Sequence, residues 1–149
     1  MWDFQLVLEL ENSTYCINEN FPVRVYLSNK GETAILLDGI LPLRSSASPP
    51  YVNIWTKDGT KFQIDRYLES LNNDEIITIE SGDTLQIMDF NLLDVGGNYI
   101  NQELDNEAQK VEHISELLFS SKYFINATFG PSPLIYQCVT DSIEFSVQR

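Results

Sequence analysis

Phe21, Val23, Val25 and Leu27 alternate with Pro22, Arg24, Tyr26 and Ser28. A period of two places the first set on one face of a pleated strand and the second on the other. Burying four such side chains contributes about 6–12 kcal/mol before ordering entropy is subtracted. A strand with one apolar face needs a second layer against it, so this stretch commits the chain to stacked sheets. Asn29-Lys30-Gly31-Glu32 then turns the chain into another apolar run, Ala34 to Leu41.

The same rhythm recurs along the chain. Phe4, Leu6, Leu8 and Leu10 alternate with Gln5, Val7, Glu9 and Glu11 and predict the first strand, with Thr14 to Ile17 a short extension. Pro22 has no N–H for a ladder, so the start of the central strand is expected to be unpaired on that side. Arg44 to Pro50 reads as a Ser/Pro loop without a period. Tyr51 to Lys57 and Thr60 to Ile64 flank Asp58-Gly59, a dipeptide suited to a two-residue hairpin turn. Arg66 to Asn73 is ambiguous, with a helical turn one option. Glu75 to Glu80 and Thr84 to Leu93 are strands around Ser81-Gly82-Asp83. Within 84–93 the apolar phase slips from Leu85 and Ile87 to Met88, Phe90 and Leu92, which predicts a bulge. Gly96-Gly97 closes that strand. Leu104, Ala108, Val111, Ile114 and Leu118 then recur at helical spacing among acidic residues, predicting a helix near 102–119. Tyr123, Ile125, Ala127 and Phe129, then Ile143, Phe145 and Val147, predict the last two strands.

The chain has 149 residues, enough for one domain over 1–149 that buries about two thirds of its unfolded surface. No window approaches the roughly eighteen apolar residues of a membrane helix. Met1-Trp2-Asp3-Phe4 lacks the basic and apolar regions of a signal peptide. With Met1 as the natural start, the protein is expected in the cytoplasm. Twenty-two acidic against nine basic residues give a net charge of -13. That surface disfavours nucleic acid and anionic membranes, whose binding depends on Lys and Arg; it serves solubility first, and it also suits a partner with a basic surface. Cys16 and Cys138 lie outside any C-x-x-C pair and are expected to be reduced thiols.

Val23-x-Val25-x-Leu27-x-Asn29, Ile79-x-x-Gly82-Asp83-Thr84, Tyr123-x-Ile125-x-Ala127 and Ile143-x-Phe145-x-Val147 follow one another in an order that resembles immunoglobulin-like modules of bacterial proteins. One branch this is similar to is the intracellular proteinase-inhibitor β-sandwich family. The resemblance covers most of the chain except 94–121. It implies an all-β fold: an immunoglobulin-like antiparallel β-sandwich of about seven to nine strands, with the helix near 102–119 inserted. It also implies a tyrosine corner at Tyr123. Ile125 stands where antibody domains carry a cysteine, so no central disulfide is expected.

Chemistry-bearing motifs are sparse. His113 is the only histidine, and it falls among the polar positions of the predicted helix rather than beside a nucleophile. Asp74-Glu75 and Asp105-Asn106-Glu107 match no calcium loop, and Gly96-Gly97 is not a phosphate loop. Neither a cofactor nor a metal is implied. Gly130-Pro131-Ser132-Pro133-Leu134-Ile135-Tyr136-Gln137 sets apolar groups beside two prolines, which stiffen a loop and favour interface anchors. Its side chains either face a partner or tuck onto the core edge. The expected binding face comprises Pro131, Pro133, Leu134, Ile135 and Tyr136, with Asn29, Lys30 and Glu32 at the same end. The expected function is therefore a non-enzymatic protein-interaction module, an adaptor, inhibitor or immunity-type protein that binds another protein. The alternative is a carbohydrate-binding accessory module using Trp55 and Tyr51, which share parity; such modules need exposed coplanar rings, whereas Trp55 is expected in the core, and exposure of the two rings discriminates the readings. A hydrolase using His113 is a third class.

Overall fold

The computed structural model describes residues 4–38, 48–57, 59–64, 76–101, 109–119, 121–130 and 138–149. The fold is all-β. Its first strands are β1 (Phe4–Leu10), β2 (Thr14–Cys16), β3 (Pro22–Asn29) and β4 (Ile35–Asp38). Then come β5 (Ser48–Trp55), β6 (Thr60–Ile64), β7 (Ile76–Ile79), β8 (Thr84–Asn91) and β9 (Gly97–Asn101). The last are β10 (Gln109–Val111), β11 (Ser121–Gly130), β12 (Cys138–Val139) and β13 (Ile143–Gln148). Thirteen strands among the described residues exceed the seven to nine expected, because short edge pieces such as β2, β10 and β12 carry little periodicity of their own.

Three sheets form. One runs β1-β3-β8, a second β10-β9-β6-β5-β11-β13-β2 with β12 also on β11, and β4 pairs β7 in a third. The opening stretch of the sequence is the centre of the first sheet. Leu6, Leu8 and Leu10 oppose Leu27, Val25 and Val23, which in turn oppose Leu85, Met88 and Phe90. Val23, Val25 and Leu27 are fully buried. From the larger sheet, Val52, Ile54, Phe62, Ile64, Tyr123, Ile125, Ala127, Phe129, Phe145 and Val147 enter the same core. The expected bulge is present: the β3–β8 register shifts between Val25 and Tyr26, so Ile87 and Met88 are both buried. Among the described residues pairing is antiparallel except for β2, which runs parallel to β13.

The sequence expectations fail at identifiable places. The helix near 102–119 is not found in its described part. Gln109–Val111 is a strand on β9, and Ile114–Leu117 is one 3-10 turn; residues 102–108 lie outside the described residues. Ile114 and Leu118 are buried as their spacing implied, but a strand edge followed by a single turn buries them equally well. β9 offers that edge, and tertiary pairing overrides a modest helical preference. Gly97 does not close a strand but opens β9, a strand unmarked by any alternation. Ser48 to Pro50, read as loop, belong to β5. Asp58 and the ambiguous 66–73 segment lie outside the described residues. The β5–β6 hairpin is present, with a connection longer than the two residues expected: Thr56 N–H donates to the Thr60 carbonyl at 3.0 Å, and Gly59 adopts a φ of +96°. Among the described residues no helix is long and apolar enough to cross a membrane.

Candidate functional site

Asn29, Lys30 and Glu32 are placed at the β3–β4 connection, but not alike. Asn29 is fully buried. Its Nδ2 donates to the Thr33 and Ile79 carbonyls at 2.9 Å each, and its Oδ1 accepts from the Gly31 N–H at 2.9 Å. Its backbone N–H donates to the Asp83 carbonyl, and its carbonyl accepts from the Gly82 N–H. Asn29 therefore ties two turns together and cannot itself touch a partner. Lys30 and Glu32 remain exposed beside it. Pro131, Pro133, Leu134, Ile135 and Tyr136, the rest of the expected face, lie outside the described residues. His113 is exposed at the start of the 3-10 turn.

Trp55, expected in the core, lies outside it, as does Tyr51. Alternation along β5 sends Val52 and Ile54 inward and Tyr51, Asn53 and Trp55 to the outer face of the large sheet, where both rings are half-buried. Strand register carries the pattern sideways. Glu144, Phe124, Trp55 and Lys61 form one row across β13, β11, β5 and β6. The next row is Asn126, Asn53, Gln63, Asn98 and Lys110, across β11, β5, β6, β9 and β10. Val139, Thr128 and Tyr51 make a third.

The rows are ordered by contacts. The Trp55 and Phe124 rings stack with centroids 5.9 Å apart and planes 27° from parallel. Asn53 Nδ2 donates to Asn126 Oδ1 at 3.1 Å and to Thr128 Oγ1 at 3.4 Å, and Gln63 Nε2 donates to Asn53 Oδ1 at 3.4 Å. Two shallow clefts flank the ring pair. One of about 400 Å³ runs over Asn53, Trp55, Lys61, Asn126 and Thr128. The other, about 600 Å³, lies between Lys57, Lys122, Phe124 and Glu144. Lys122 pairs with Glu144 at 3.5 Å.

The outer face of the β1-β3-β8 sheet is different in kind. Arg24 sits among Glu9 (3.3 Å), Glu11 (3.4 Å) and Asp89 (3.7 Å). Its guanidinium is held charged even beyond the usual arginine range, first by the Glu9 hydrogen bond, with burial opposing, then by Glu11 and Asp89. Three carboxylates around one cation leave that face acidic.

No family model matches the chain. The curated proteins hold no match either. Among solved structures, a CARDB domain from Pyrococcus furiosus, in complex with di-metal ions, aligns over 99% of this chain and 89% of its own, with 12% identity and a TM-score of 0.46. A β-glucosidase from Erythrobacter marinus aligns over 99% of this chain with 11% identity and a TM-score of 0.45. An alkylpurine DNA glycosylase from Pseudomonas fluorescens aligns over 98%, with 9% identity and a TM-score of 0.42. The chain spans only 16% of the β-glucosidase and 30% of the glycosylase. Likenesses this slight carry no argument about what the chain does.

Sequence reasoning singled out Trp55 and Tyr51 but missed Asn53, Lys61, Gln63, Phe124 and Asn126. Asn53 shared their parity and was open to notice. The others become neighbours only through cross-strand register, which no local pattern encodes.

Proposed function

We propose that the protein is a non-enzymatic binding module built on an immunoglobulin-like sandwich, and that it meets its partner with the outer face of the large sheet. Strand order supports the architecture. β1-β3-β8 corresponds to the A-B-E strands of such a sandwich, and β13-β11-β5-β6 to G-F-C-C′. Tyr123 supports it too: its hydroxyl accepts from the Phe119 N–H at 2.9 Å and donates to the Phe119 carbonyl at 3.2 Å, the bonding of a tyrosine corner. The observation that carries the functional reading is the ring pair Trp55–Phe124, half-buried, flanked by two clefts and bordered by the amide row. Aromatic rings on a rigid sheet are effective anchors because they bury much area at little entropic cost.

A protein partner with a basic surface is the second reading, favoured by the acidic cluster of Glu9, Glu11 and Asp89 on the opposite face. Comparing two variants in affinity capture from the native host separates the two faces. Trp55→Ala should lose the captured partner, and Arg24→Gln should retain it. The reverse outcome moves the binding face to the three-stranded sheet.

A further inference from the structure

Charge is unevenly distributed over this acidic chain. Lys57, Lys61, Lys110 and Lys122, four of its five lysines, lie on or border the outer face of the large sheet. Within the two clefts, Glu144 is the one carboxylate among the described residues, and Lys122 already pairs with it. Lys61 stands beside Trp55 with no carboxylate partner among the described residues. Among the described residues the face is therefore locally basic, in a molecule of net charge -13.

The amide row adds a second property. Asn53 is buried to 5% exposure, and its two N–H groups are engaged by Asn126 and Thr128. That fixes Asn126 with its own Nδ2 donors unengaged among the described residues, and leaves the Gln63 Oε1 acceptor and the Thr128 hydroxyl proton in the same position. Donors and acceptors thus alternate along a pre-organised row, next to a ring pair and the Lys61 ammonium. Vicinal hydroxyls match such a row, since each both donates and accepts. The C–H face of a pyranose packs on an aromatic ring, and a carboxylate answers Lys61.

Resting on the binding-face reading above, we propose that this face binds an acidic saccharide chain, with Trp55 and Phe124 as the stacking surface, Asn126, Gln63 and Thr128 as hydroxyl partners, and Lys61 as the carboxylate partner. A single-stranded nucleic acid would also use rings and lysines. It is disfavoured because the amide row answers hydroxyls rather than phosphates.

Affinity electrophoresis of the full chain tests the assignment, with gels cast in polygalacturonate, alginate or hyaluronate and compared with neutral laminarin and xylan. At least one uronate polymer should retard the protein, and added salt should weaken the effect. Lys61→Gln and Asn126→Ala should each weaken retardation about tenfold, Trp55→Ala by at least as much, and Arg24→Gln not at all. Thermal melts of the variants show that each is folded. Equal retardation by neutral polymers, unaffected by Lys61→Gln, would overturn the acidic ligand yet keep the face. No retardation by any uronate overturns the saccharide assignment. So does Trp55-dependent binding of a single-stranded oligonucleotide instead. If host-partner capture also survives Trp55→Ala, the binding-face reading fails as well.

Discussion

Asn29 shows how one residue can be legible in identity and illegible in role. Its position at the end of an alternating stretch marked a turn, and a turn is present. What the sequence could not disclose is that the turn folds back onto a second one 50 residues away, where Asn29 Nδ2 meets the Ile79 carbonyl. There Gly82 adopts a φ of +83°, and its N–H reaches the Asn29 carbonyl at 3.0 Å. Ser81 Oγ closes the same junction on the Gly31 carbonyl at 2.6 Å. Tyr123 was easier to read, because its hydroxyl bonds only four residues upstream. Asn29→Ala would strip three hydrogen bonds from a buried site, and buried backbone groups left unpaired are costly. Stability should fall by about 2–3 kcal/mol, measured as a lower urea midpoint at unchanged slope. Lys30→Ala, one residue along and exposed, should leave the midpoint within about 0.5 kcal/mol of the parent. Equal loss in both variants would contradict the bracket.

Strands whose one face is buried announced themselves, and the rest did not. β1, β3, β11 and β13 each alternate cleanly because one side meets the core and the other meets water. Even the β8 bulge was readable, since a slipped register moves the apolar set by one residue. β9 escaped notice because it is held by backbone contact. A Cβ on Gly97 would come within 2.6 Å of the Gln63 backbone oxygen and within 2.6 Å of the Ile114 side chain. Gly97 is thus the point where β6, β9 and the 3-10 turn converge, and glycine is required there by close approach rather than by dihedral freedom. Gly97→Ala should cost about 1–3 kcal/mol, because the Gln63 oxygen belongs to a paired strand and cannot withdraw. Hydrogen exchange should localise the loss to β6, β9 and β10 while β3 and β8 keep their protection. Uniform loss of protection would mean that the sheet end is not a separable unit.

At the scale of the whole molecule, charge separates the two outer faces. The candidate ligand face was legible only in part. Trp55 and Tyr51 could be marked by parity, but a row spanning five strands exists only once pairing order is fixed, and strand order is not a local property of the chain. The same holds for charge. A net value of -13 describes the average surface and conceals four lysines gathered on one side. Two electrostatic effects then compete in the folded state. Self-repulsion among carboxylates opposes compactness, and ion pairs such as Arg24 with Glu9, or Lys122 with Glu144, oppose unfolding. These pairs are exposed at the surface, where such contacts contribute little. Repulsion among the excess acidic groups should therefore dominate, and screening it should stabilise the fold. Raising sodium chloride from about 10 to about 300 mM shortens the screening length from about 30 Å to below 10 Å. The melting temperature should rise over that interval and then level off. Arg24→Gln, which removes the cation between Glu9, Glu11 and Asp89, should melt lower at low salt and recover much of the difference at high salt. A melting temperature that falls with salt in the parent would show instead that its ion pairs outweigh its net charge.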